Sequence, residues 1–343
     1  MVILKTKPEK VTKKFLSVLP DRSHDVITRR FGLGGQSSKV TLDSIGKGYG
    51  ITRERVRQIE NSAIKNIRKS EAFKGESKIF DELYEIIEQL GGVVSEEDLL
   101  SYLHKNDVIQ NHIHFLLVLG DPFSKEKEND KFKARWYTDN SLSETVHNAL
   151  EKLYKELDEN NLYTEDEIVT MFSNHAEDIE QKHKNPDTIK RWLNISKNIG
   201  RNNFDEWGLS ASTNINAKGI RDYAYLSIRQ HGSPLHFSEV AKSIEKNFSR
   251  KAHIATCHNE LIKDPRFVLV GRGLYALTEW GYVGGVVRDV IKNILEKEGA
   301  LTREEIIEKV LKERYIKENT VVVNLQDAKY FKKDSKGRYL IIK

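Results

Sequence analysis

The chain has 343 residues, 38% of them hydrophobic and 31% charged, with six prolines, one cysteine and a formal net charge of +5. That length exceeds one ordinary core and calls for two or more domains, while the composition excludes a disordered or low-complexity chain and reads as soluble and largely helical. The charge is unevenly spread: the first 75 residues carry 17 Lys and Arg against 7 Asp and Glu, and the remainder 39 against 44, so one nucleic-acid-facing segment joined to a mildly acidic body is expected.

In chain order, the first feature is the glycine run Gly32-Leu33-Gly34-Gly35. It lacks the Gly-Lys-Ser/Thr ending and the preceding apolar strand of a phosphate loop, so nucleotide binding is not expected from it. From Thr41 to Lys69 the string TLDSIGKGYGITRERVRQIENSAIKNIRK contains two helix starts, with Thr41 and Thr52 placed to cap the following turns. Gly50 between them permits a left-handed turn and a steep crossing of the two helices. On a helical wheel Val56, Ile59, Ala63 and Ile67 form one stripe, while Glu54, Arg57, Gln58 and Asn61 lie opposite with Arg53 at the edge. Those side chains suit base edges: Arg pairs with guanine, Gln or Asn with adenine, and Glu accepts from cytosine.

The string GITRERVRQIENSAIKNIR closely resembles the region 4 signature of the sigma-70 family, whose helix-turn-helix docks in the minus-35 promoter element. FLSVLPDRSHDVITRRFGLGG from Phe15 is similar to the family's preceding helix pair, so the resemblance covers about residues 10 to 72. It implies base contacts by Arg53, Glu54, Arg57, Gln58 and Asn61, backbone contacts by Arg29, Arg30, Lys39 and Thr41, and docking on RNA polymerase. Ser44 stands where the family usually carries an acid, so its capping pair with Thr41 is weakened. Nothing similar to a strand-opening region precedes Lys10, so the chain is expected to read a promoter without melting it.

Beyond Gly75 a unit of 64 to 72 residues repeats four times: an apolar helix, a turn, a capped second helix and a closing aromatic strand. The caps fall at Ser95, Thr164, His236 and Thr302, and the closings near Trp136, Trp207, Tyr275 and Tyr339. Such units read as winged helices. The expected fold is therefore mostly α, an N-terminal four-helix HTH module (1–75) plus tandem winged-helix (α+β) domains at 78–139, 143–211, 215–281 and 283–343. The third unit, with IRDYAYLSIRQHGSPLHFSEVAKSIEKNF and HNELIKDPRFVLVGRGLYAL, resembles the HARE-HTH family, which implies a link to transcription or DNA handling. Arg250, Lys251, His253, His258, Asn259 and Lys263, with Arg272 on the wing, form a second candidate DNA surface; protein docking is the competing use.

The terminal aromatics read as core rather than a base-stacking platform. Glu96-Glu97 and Asp166-Glu167 sit at first turns of helices, where the dipole favours acids, and His236 replaces the Ser or Thr cap of the other units. No enzyme, cofactor or metal site is expected, since Cys257 has no ligands at zinc spacing. No apolar run approaches the ~18 residues of a membrane span, and Met1-Val-Ile-Leu is short for a signal-peptide core, so a cytoplasmic, nucleoid-associated location follows. The expected function is a sigma-like, sequence-specific transcription factor bound to double-stranded DNA and RNA polymerase. The alternative is a DNA-binding or scaffolding component of a restriction-modification or phage-defence system, with protein partners on the repeats.

Overall fold

Short capped helices and three- to five-residue strands alternate along the chain in the computed structural model, which describes residues 4–35, 38–180, 183–282 and 284–342. It is mostly helical, with seventeen α-helices and four small antiparallel sheets among the described residues. The N-terminal module comprises α1 (Pro8–Leu16), α2 (Asp21–Phe31), α3 (Leu42–Tyr49), α4 (Arg53–Lys69) and the single turn α5 (Glu71–Lys74). Pro8 opens α1 at a position where its missing N–H costs nothing. Gly32 ends α2 in the left-handed conformation, and the Leu33 N–H closes back on the Thr28 carbonyl.

The rest of the chain repeats one order of elements four times. The first copy runs α6 (Ser77–Gln89), β1 (Val93–Ser95), α7 (Glu96–Leu103), α8 (Asp107–Leu119), β2 (Ser124–Glu126) and β3 (Arg135–Tyr137), with β3 central in its sheet. The second runs α9 (Asn140–Glu156), α10 (Glu165–His175), α11 (Pro186–Leu193), β4 (Ile199–Arg201) and β5 (Trp207–Leu209), a bridge from Tyr163 to Trp207 standing in for the first strand. The third, α12 (Ile220–His231), β6 (Leu235–His236), α13 (Phe237–Phe248), α14 (Ile254–Lys263), β7 (Phe267–Gly271) and β8 (Leu274–Leu277), again places its last strand in the centre. The fourth is α15 (Val287–Glu298), α16 (Arg303–Glu313), α17 (Glu318–Leu325), β9 (Phe331–Lys333) and β10 (Tyr339–Ile341), with Leu301 bridged to Tyr339.

Ser95, Thr164, His236 and Thr302 each cap the second helix of their copy, Thr164 and Thr302 through reciprocal pairs with Glu167 and Glu305. Trp136, Trp207, Tyr275 and Tyr339 are all buried, closing the small cores as their periodic placement implied.

Proximity divides the chain into two compact units, residues 1–200 with 207–210, and residues 201–206 with 211–343. In the first unit the boundary expected near residue 75 does not separate two cores. Val11, Phe15, Leu16, Ile27, Phe31, Ala63 and Ile67 of the module share one cluster with Ile79, Phe80, Leu83, Ile113, Phe115, Leu116 and Trp136 of the first repeat. The agent is α8, buried on more than one face: Asn111, His112, Ile113, Phe115, Leu116, Leu117 and Leu119 are all buried. It packs on α1 and α2 as well as on its own repeat. The Phe31 and Phe115 rings meet edge to face at 4.9 Å, and buried Asn111 Nδ2 donates to the Gly32 carbonyl at 3.2 Å. In the second unit Val290, Ile291, Ile294, Ile306, Val310 and Phe331 form the core of the last repeat.

Candidate nucleic-acid interface

The helix-turn-helix is set by two capped starts and two glycines. Thr41 Oγ1 accepts from the Ser44 N–H and Thr52 Oγ1 from the Arg55 N–H, both at 3.2 Å. Ser44 has no carboxylate to return to Thr41, so α3 keeps half of the reciprocal cap. Gly50 takes φ +63°, and the Ile51 N–H reaches the Gly46 carbonyl at 3.0 Å. At Gly46 a Cβ would lie 2.7 Å from the Ile51 oxygen, so the turn folds tightly over α3 only because that position has no side chain. Val26, Ile45 and Val56, fully buried, hold α2, α3 and α4 together with Val40, Leu42, Tyr49, Ile51 and Ile59 around them.

Burial of Val56, Ala63 and Ile67 turns the opposite face of α4 to solvent, and Arg53, Glu54, Arg57, Gln58 and Asn61 are all exposed on it. The face is pre-ordered. Arg57 donates through Nε and Nη2 to the two Glu54 oxygens at 2.8 and 2.6 Å, and Arg55 Nη1 donates to Gln58 Oε1 at 3.0 Å. The Arg57 hydrogen bond holds the Glu54 carboxyl below its ordinary range, so the pair is fully charged at neutral pH. Being exposed, it costs little to exchange for a base edge.

The four expected backbone contacts do not form one group. Arg30, Thr41 and Arg53 line a recess of about 440 Å³ with Leu42 and Asp43, at the N-terminus of α3. Two guanidinium groups and the positive end of a helix suit a phosphate there, with Asp43 drawn aside to Lys47 at 2.8 Å. Arg30 is steadied by Glu60, 3.6 Å away across α4. Arg29 instead turns toward the other end of α3, where Asp25 binds it at 3.1 Å and accepts from the Tyr49 hydroxyl at 2.6 Å. Lys39 stands at a crowded corner. Partial burial of its ammonium lowers its pKa, and although Glu96 opposes this, Lys125 and Arg30 add like charge.

Sequence reasoning missed that the first repeat joins this surface. Lys125 of β2 lies beside Lys39 and is held by Glu96, which also accepts from Trp136 Nε1 at 2.9 Å. Burial alone would raise the Glu96 pKa, but His114 and Lys125 hold it down at about 2. Glu96 is therefore an anchoring anion. The C-terminal end of α4 is fixed as well, for Arg68 donates to the Leu119 and Val118 carbonyls of α8, both at 3.1 Å, with Asp121 at 3.3 Å. The apolar run Phe115-Leu116-Leu117-Val118-Leu119 of α8 was the available signal.

The second candidate surface is split by the structure. Arg250, Lys251, Asn259, Lys263 and Arg272 are exposed. His258 is not on that face: it is half-buried, stacked on Phe237 at 4.4 Å and edge-on to Tyr275 at 5.9 Å. Cys257 beneath it is buried, which pushes its thiol up to about 11.

Residues 15–69 match the family model for sigma-70, region 4. Over 53 residues the chain is 55% identical to the RNA polymerase sigma factor RpoD of Helicobacter pylori strain 26695, a stretch that is 16% of this chain and 8% of that protein. Over 56 residues it is 43% identical to the RNA polymerase sigma factor RpoS of Coxiella burnetii, 16% of each chain. The chain thus spans less than a fifth of the length of these curated relatives. Its N-terminal segment carries a sigma-70 region 4 domain, and no helix among the described residues is long and apolar enough to cross a membrane.

Proposed function

We propose that this protein is a sequence-specific DNA-binding transcription protein that reads a minus-35-type element with the exposed face of α4. The observation that carries this reading is the joint one of a region 4 domain at residues 15–69 and a solvent-facing row of Arg53, Glu54, Arg57, Gln58 and Asn61 beside a recess lined by Arg30 and Arg53. Arg57 reads guanine and Gln58 adenine, with Glu54 and Asn61 flanking them. Arg30, Thr41 and Arg53 seat a backbone phosphate, and Lys39 and Arg29 supply further backbone charge. RNA polymerase is the natural partner of such a domain. Because α8 fills the apolar reverse side of α1 and α2, the polymerase contact uses the exposed polar surface of the module.

The four repeats act as winged helices, the third of HARE-HTH type, arranged as domains near 78–139, 143–211, 215–281 and 283–343. Their element order and the central placement of the last strand in two of the sheets support this. The role is one of binding rather than catalysis, in a cytoplasmic setting.

Selection of bound duplexes from a random pool tests the reading. The full chain enriches one motif, and Arg57→Ala or Gln58→Ala costs roughly 1–3 kcal/mol at that motif and loosens preference at one base position. Lys39→Ala weakens all sequences alike and makes the salt dependence shallower by about one unit of slope. A pool that stays unenriched overturns the proposal.

A further inference from the structure

The third helices of the four repeats have different fates. Helix α8 is largely buried in the first core, with Asn111, His112, Ile113, Phe115, Leu116, Leu117 and Leu119 all covered. On α11, Lys190 is neutralised by Glu165 and Asp187 at 2.9 and 3.0 Å, and Arg191 lies over the Tyr102 ring. Helix α17, ENTVVVNL, carries one acid and no base. Helix α14 is unlike these. Only Cys257 and Leu261 are buried on it, so Ala255, Thr256, Asn259, Ile262 and Lys263 form a continuous exposed face. Arg250, Lys251 and His253 lead into its N-terminus, and Arg272 stands at the tip of the β7–β8 hairpin of the same repeat.

Charge points to the occupant. Residues 246–273 hold six Lys and Arg against two acids, in a body that is acidic overall. One of the two acids, Asp264, is consumed by Arg266 at 2.6 Å. Among the described residues Arg250, Lys251, Lys263 and Arg272 make no ion pair and are exposed, so their charge faces outward. Glu245, on the preceding helix, accepts from the Ala252 N–H at 3.4 Å, and Glu260 is half-buried at the edge of α14. A face with no acid of its own, small at Ala255 and Thr256, lets the helix approach closely. Asn259 suits adenine, Ile262 and Ala255 suit a thymine methyl, and the flanking bases suit phosphates.

We infer that α14 and the Arg272 hairpin are a second double-stranded DNA contact, with α14 in a major groove and Arg250, Lys251, Lys263 and Arg272 on the flanking phosphates. This does not rest on promoter reading by α4, and the two can fail separately. The hairpin is closely packed at both of its glycines. At Gly271 a Cβ would lie 2.6 Å from the Tyr315 oxygen, and at Gly273 2.4 Å from the His236 ring, so neither position has room for a side chain.

The test is a salt titration of the full chain on a labelled duplex of scrambled sequence. Replacing Arg250, Lys251, Lys263 and Arg272 together by Ser is expected to make the slope of log K against log salt shallower by about 3.6, at roughly 0.9 per phosphate contact. Selection by α4 from a random pool is unchanged. Should the fourfold variant fold poorly, Lys263→Gln and Arg272→Gln singly each remove about one unit. An unchanged slope and affinity overturn the proposal, as does a variant that loses binding to polyglutamate but none to duplex, which assigns the face to an acidic protein instead.

Discussion

A methyl group at Gly46 would press into the Ile51 carbonyl, and the fully buried Ile45 beside it leaves α3 no room to retreat. Gly46→Ala is therefore expected to cost about 1–3 kcal/mol by overpacking and to tilt α4. Site-selective binding in a duplex competition then falls well before salt-sensitive binding to scrambled DNA does; equal losses of both would contradict a positioning role. His147 poses a question of pH. Arg135 donates Nε–H to its Nε2 at 2.6 Å, and burial, then the Arg135 charge, lower its pKa from 6.5 to about 4. As pH falls the unfolded chain takes up this proton first, so the contribution is whole above pH 6.5 and is lost as pH drops to about 4. Urea midpoints measured across that window should decline, and His147→Gln should flatten the decline; equal slopes would leave His147 without a part in it.

At the scale of elements the decisive one is α8. It belongs by sequence to the first repeat, yet it covers α1 and α2, so the reading module and that repeat should unfold together. Phe31→Ala removes a ring packed on Phe115 and is expected to cost about 3–5 kcal/mol. In amide hydrogen exchange, protection should fall across α8 as well as α2, and acceleration confined to residues 8–69 would show two independent folds. The caps were legible because a Ser, Thr or His at a helix start is a local signal, satisfied within three residues. The exposed face of α4 was equally legible, since Val56, Ala63 and Ile67 define the buried side by period alone. The association of α8 with the module was not legible as a partner choice. NHIHFLLVL announces burial on every side but cannot name what covers each side, because that depends on contacts more than 70 residues apart, such as Asn111 with Gly32. His258 was misplaced for a related reason: its ring stack needs Phe237 and Tyr275, which only the folded repeat brings together.

For the whole molecule, the first compact unit holds a cluster with Phe31, Phe115 and Trp136 and a second in which Val93 and Phe132 join Trp192 and Trp207, while in the second unit a Gly271–Tyr315 bridge ties the third repeat to the last, whose core holds Val290, Ile291 and Val310. A five-domain chain with five independent cores would melt in many small steps, whereas cores shared as observed in the first unit merge their transitions. Calorimetry of the full chain should therefore resolve two major transitions. Ile291 is fully buried, and Ile291→Ala, at about 2–5 kcal/mol, should lower one of them while leaving the other in place. Phe31→Ala should do the converse. The pair of variants makes the assignment reciprocal, so a single transition that moves with both, or a module transition that separates from that of residues 78–139, would show that cooperativity follows other lines than the cores. If the two transitions behave as expected, the DNA surface of α4 and that of α14 stand on thermodynamically distinct supports. Loss of one by mutation then need not disturb the other, and their contributions to the salt slope should add.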